Sequence, residues 1–300
     1  MKTKFYLTCT LLFMMTVNLL SNHFKKGLFD AVEKCDKAKV EEMLALGADV
    51  NSKNEDGLTP LMVAARNKNC SIDILKLLVE KGADINAQSE EFGDTTLMFT
   101  DDDLEKTKYL VSKGADPNKP SKITIIGGGH NAVAITTIWS SITGDLSVLE
   151  FLLKNGGDVN KVLPNGESIL IYSLYPASNN EYGCKVIETL LKNGADVNYK
   201  MNDGNTALLK AIDYYAINSL VKSQNLEKSM KLVELLLKYG ADPNCQREEL
   251  SLKKKDVDSY DPKKYKGGDT PLYLAKINGL KELEELLIQY GATKTPVVKE

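Results

Sequence analysis

The sequence predicts an all-α chain, a solenoid of about seven helix-turn-helix units behind a short apolar leader. Three observations carry that reading. A glycine-centred phrase recurs along most of the chain, a second phrase alternates with it, and apolar runs of helical character such as Ile74 to Leu78 lie between them.

The first phrase is Leu46 to Asn51, then Lys81 to Asn86, Lys113 to Asn118, Asn155 to Asn160, Asn193 to Asn198 and Tyr239 to Asn244. A shortened seventh copy, Tyr290 to Thr293, follows near the end. Each glycine here comes directly after an apolar run, where a left-handed residue stops a helix. The second phrase is Gly57 to Leu61, with relatives at Gly93, Gly166, Gly204 and Gly268. Its Thr-Pro pair starts a helix, because the hydroxyl caps orphan amides while proline occupies the first helical position. Stretches such as Asn54 to Gly57 have turn chemistry and predict a protruding finger. One unit is therefore turn, helix, turn, helix. No such pair buries its apolar face alone, so units must stack and the end units need polar outer faces. Glu33, Lys34, Asp36, Lys37, Lys39, Glu41 and Glu42 suit the first cap, and Lys281, Glu282, Glu284, Glu285 and Gln289 the last.

The two phrases in alternation resemble the ankyrin repeat over roughly residues 25–294. The resemblance implies a protein-binding scaffold. It also exposes departures. Marker glycines lie 35, 32, 42, 38, 46 and 51 residues apart, against a family period of about 33. The excess is expected in loops, near 121–134, 216–228 and 246–266, while the third unit has a shortened first helix around Asp101, Asp102 and Asp103. The family's histidine after Thr-Pro-Leu is replaced by Met62, Met98, Trp139, Ile171, Leu209 and Tyr273. A looser stack is expected from the loss of its hydrogen bonds.

Lys2 and Lys4 precede an apolar run from Phe5 to Leu20. At this length the run is short of the about 20 residues that span a membrane, so it reads as an export signal. The expected division is 1–23 as signal or anchor, 24–294 as repeat domain and 295–300 as tail. The chain is expected to be extracytoplasmic, periplasmic or secreted. Residues 5–20 act as a membrane anchor in the alternative where they stay uncleaved. The formal net charge is −3, more negative still without the two leader lysines. Such a chain has no basic field for nucleic acid.

The sequence offers little chemistry. His130 is the one histidine beyond the leader boundary at His23, which excludes a multi-histidine zinc site. Gly127 to Gly129 lack the Gly-Lys-Ser/Thr of a phosphate loop. Ser140 and Ser141 take the place of small helix residues and have no base at recognisable spacing. Asp256, Asp258 and Asp261 miss the glycine and glutamate of a calcium loop and read as solvated acids in a lysine-rich insert. No catalytic residue, metal or cofactor is expected. An enzyme with its site in the inserts Ser121 to Ala134 and Gln246 to Lys266 remains the alternative, as does a membrane-tethered spacer.

Aligning the units places Cys35 and Cys70 in the interhelical turns of adjacent units. A disulfide between them and two free thiols both stay open at this point. Cys184 and Cys245 map to opposite ends of their units and are not paired. The resemblance further implies that a protein partner lies on finger tips and first-helix faces. Arg66, Phe92, Trp139, Tyr175, Tyr214 and Tyr215 are the candidate contacts, since aromatic residues and arginine dominate interface energetics. Packing against an insertion is the competing role for each, most of all for Trp139.

Overall fold

Five helices begin where a hydroxyl or carboxylate caps an apolar run, at Asp36, Thr59, Asp103, Thr206 and Thr270. The computed structural model describes residues 20–121, 124–125, 132–133, 146–162, 166–177, 181–247 and 269–293. The chain divides into two compact units, Met1–Gly157 and Asp158–Glu300.

In the first unit, the described part of α1 is 20–33 and α2 is Lys37–Ala45. Next come α3, Pro60–Arg66, and α4, Ile72–Glu80. A 3-10 turn at Thr96–Thr100 stands where the third repeat needs its first helix, followed by α5, Leu104–Ser112, and α6, Leu146–Lys154. Helix α1 takes in the last four residues assigned to the leader, all of them exposed. Thr59 caps α3 by accepting from the Met62 amide at 3.3 Å, and its own amide donates to the Met62 thioether at 3.4 Å. The residue that replaces the family histidine thus completes a reciprocal cap of its own. The third repeat loses a true helix because Thr95 makes no capping bond and Asp101 takes a positive φ of 47° directly after Thr100. The insertion after Ser121 includes a two-residue antiparallel ribbon, β1 (Thr124–Ile125) against β2 (Ala132–Val133).

In the second unit, α7 (Ile169–Ala177) pairs with α8 (Glu181–Lys192), α9 (Ala207–Leu220) with α10 (Leu226–Lys238), and α11 (Pro271–Ile277) with α12 (Lys281–Gln289). Thr206 and Thr270 cap α9 and α11 by accepting from Leu209 and Tyr273 amides. The 216–228 insertion is mostly helix rather than loop. It extends α9 to 14 residues and α10 to 13, held together by Asn218 donating to the buried Ser229 hydroxyl at 2.6 Å. A paired helical extension satisfies its backbone internally, which a loop of that length does not.

Apolar side chains of successive helix pairs fill each core: Leu61, Ile74, Leu75 and Leu78 in the first unit, Ile187, Leu209, Ile212 and Leu236 in the second, all buried. At each unit's finger base a polar ladder runs beside that core. Asn51 donates to the Gly82 carbonyl at 3.1 Å and accepts from the Asp84 amide at 2.8 Å. Asn86 does the same to Gly114 and Asp116, and Asn118 donates to Gly156. In the second unit Asn160, Asn198 and Asn244 reach Gly194, Gly240 and Gly291. Each rung exists because a glycine such as Gly82, at φ 90°, ends its helix with a carbonyl turned outward.

Candidate partner-binding surface

Finger turns and first-helix faces position the candidate contacts. Arg66 ends α3 and is exposed. It borders an open cleft of about 250 Å³, with Lys68, Asp101, Asp102 and Asp103 around it, left where the third repeat lacks its first helix. Phe92 stands on the third repeat's finger with 43% of its surface exposed. Its finger is braced by the bridge between Gln88 and Thr95 and by Gln88 donating to Gly93 and Pro120 carbonyls. Lys53 reaches Glu90 at 3.6 Å across neighbouring fingers.

The two adjacent tyrosines of α9 part company. Tyr214 is half-buried, whereas Tyr215 is 4% exposed and belongs to the core. One helical step of about 100° separates them, and only the first faces outward. Burial also pushes the Tyr215 hydroxyl pKa up. Tyr215 therefore packs in the core and offers a partner no contact surface, contrary to the expectation from sequence. Tyr175 lies on α7, with its side chain outside the described residues, as is all of Trp139. The loop at Gly127 to His130, Ser140, Ser141 and the aspartates 256, 258 and 261 also fall outside them.

Cys35 and Cys70 are joined by a disulfide, with Cα atoms 5.1 Å apart. The second repeat's turn folds onto the first's, where the Asn67 side chain donates to the Glu33 carbonyl at 2.9 Å. Neither Cys184 nor Cys245 is in a disulfide, and burial raises Cys245 to a pKa of about 11.

Lys106 was not picked out from sequence. Its ammonium is buried, 3% exposed, and donates to the carbonyls of Ala64, Ala65 and Asn67 at 3.5, 3.3 and 2.8 Å, with Asp103 3.5 Å away. It closes the carbonyl end of α3, which lacks a terminal glycine, from the next repeat. A lysine in a charged helix gives no sequence signal for this, since the acceptors lie about 40 positions away. Among the described residues no group of three or more His, Cys, Asp or Glu is placed to hold a metal ion, and no helix is long and apolar enough to cross a membrane.

A family model for ankyrin repeats matches residues 28–121 and 137–247. The chain belongs to the ankyrin-repeat family. Its fold is the ankyrin-repeat solenoid, and ankyrin repeats act as protein-binding scaffolds. Over 67 residues it is 46% identical to Alpha-latrocrustotoxin-Lt1a of Latrodectus tredecimguttatus, a match covering 22% of this chain and 4% of the toxin. The ankyrin repeat domain of Bcl-3, a member of the IkappaB family, superposes with a TM-score of 0.64 at 21% identity, over 87% of this chain and 97% of that one. That likeness is of fold. A structure of a predatory endopeptidase from Bdellovibrio bacteriovorus in complex with an immunity protein holds a chain 28% identical, with a TM-score of 0.52, over 69% of this chain and 97% of its own.

Proposed function

We propose that this ankyrin-repeat chain is a non-catalytic scaffold that works outside the cytoplasm and holds a protein partner on its finger loops and first-helix faces. The partner in this reading is an exported enzyme, which the scaffold restrains. The observation that carries the location is the Cys35–Cys70 bridge, since disulfides persist in oxidising compartments and are rare in the cytosol. The leader-like run from Phe5 to Leu20 points the same way. The likeness to a chain from a peptidase and immunity-protein complex supports an enzyme as the partner. Exposed Phe92 and Arg66 supply the aromatic and guanidinium groups that anchor interfaces.

Affinity capture from the extracytoplasmic fraction tests all three parts. Wild type recovers an exported enzyme and lowers its activity, while R66A/F92A recovers about tenfold less at an unchanged melting temperature. Equal recovery by the variant removes the surface from the proposal, and a chain trapped in cells with Cys35 and Cys70 reduced removes the location.

A further inference from the structure

The helical hairpin of the sixth repeat is built inside out at its tip. Ile217, Leu220 and Val221 are 49%, 64% and 68% exposed, while Asn218 and Ser229 are buried against each other. The Ser229 hydroxyl also donates to the Asn225 carbonyl, and the Ser223 amide returns to the Asn218 carbonyl at 2.8 Å. These bonds hold the tip in one conformation, so its aliphatic side chains are presented outward by a fixed frame. Helix α9 has 14 residues against nine in α7, an excess of about 7.5 Å of helix. The tip lies at the end of the helices away from the fingers.

A groove of about 460 Å³ adjoins the hairpin between α8 and α10. It is lined by Lys185, Lys228 and Lys231 with Glu188 and Glu227. Glu227 is paired with Lys231 and Glu188 with Lys192, each at 2.8 Å. Among the described residues Lys185 and Lys228 have no carboxylate partner, Lys228 donating to the neutral Asn225 side chain at 3.1 Å, so they give the groove its positive character, and Lys222 adds another ammonium beside Val221. The chain as a whole is acidic, so this local excess of lysine sets the end of the hairpin apart.

We infer that this tip docks on an anionic lipid surface, with Ile217, Leu220 and Val221 entering the headgroup boundary and Lys185 and Lys228 facing lipid phosphates. A convex apolar point bordered by lysines fits a fluid interface, where such side chains bury without a preformed pocket and basic residues are drawn to acidic headgroups. A second copy of the chain is a poor occupant. Three aliphatic side chains fall far short of the roughly 1,200 Å² that a stable protein interface buries. The inference stands apart from the finger surface and from the leader.

The test uses the full chain carrying L220W, with wild type as the background for native Trp139, and a second variant, V221W, should the first melt early. Vesicles of phosphatidylcholine with phosphatidylglycerol shift the introduced tryptophan's emission to the blue, and brominated acyl chains quench it. Adding K185Q/K228Q weakens that vesicle affinity on the order of tenfold. Because the readout sits at residue 220, attachment by the leader alone gives no shift. Emission unchanged by vesicles in both variants overturns the inference. It is equally overturned if L220D/V221D abolishes capture of a soluble protein while wild type leaves the vesicles untouched.

Discussion

The Asn51 side chain spans two repeats, accepting from the Asp84 amide at 2.8 Å while donating to the Gly82 carbonyl at 3.1 Å. Both partners are main-chain groups just after the end of α4. N51A hands an exposed donor and an exposed acceptor back to water and is expected to destabilise the first unit by about 0.5–1.5 kcal/mol. Urea unfolding followed by circular dichroism checks it. N198A, which occupies the equivalent rung in the second unit, is expected to behave alike.

Lys106 serves the C-terminus of α3 from outside its own repeat. K106M keeps the apolar stem but takes the ammonium from the Ala64 and Ala65 carbonyls and leaves the Asn67 carbonyl with the Cys70 amide, at a cost of about 2–4 kcal/mol. Hydrogen exchange at the α3 amides should speed up more than at those of α12. Uniform acceleration throughout the chain counts against a local cap.

The Cys35–Cys70 bridge closes a 35-residue separation. Its removal by C35S/C70S should lower stability by about 2–4 kcal/mol. Repeat stacks lose stability from the ends, so the loss is expected as fraying of α1 and α2. Proteolysis at the N-terminal end of the folded chain, followed by mass spectrometry, reads it directly.

Burial raises Cys245 to a pKa of about 11, with the Thr206 hydroxyl 3.4 Å from its sulfur. A thiol ordinarily loses its proton near 8.5. The folded chain therefore holds this proton at pH values where the unfolded chain has released it, so stability falls as pH rises from about 9 toward 11. C245S flattens that slope. At neutral pH the thiol stays protonated and is expected to react slowly with alkylating reagents, which labelling of native protein measures.

Tyr214 and Tyr215 separate contact from core. Y215A empties a buried site and should cost about 3–5 kcal/mol, as large aromatic truncations do. Y214A is expected to cost much less and to reduce partner capture. Thermal melts of the two variants side by side decide it, and a large loss in Y214A moves that residue into the core.

The repeat architecture and helix starts such as those after Thr59, Thr206 and Thr270 are legible in the sequence, because each rests on neighbours in the chain. Thr59 before Pro60 caps a helix, and Gly82 after Glu80 and Lys81 ends one, through contacts within a few residues. The shortened third repeat was readable for the same reason. What distinguishes Tyr214 from Tyr215, turns Ala216 to Lys228 into helix and sends Lys106 to α3 depends on groups roughly 10 to 40 positions away. Unequal insertions shift which distant group lies opposite, so those contacts are set only when the helices have stacked. The fold thus follows from glycine geometry repeated at seven helix ends and from local caps such as Thr59, Thr206 and Thr270, while the surface that a partner meets is decided by packing between repeats.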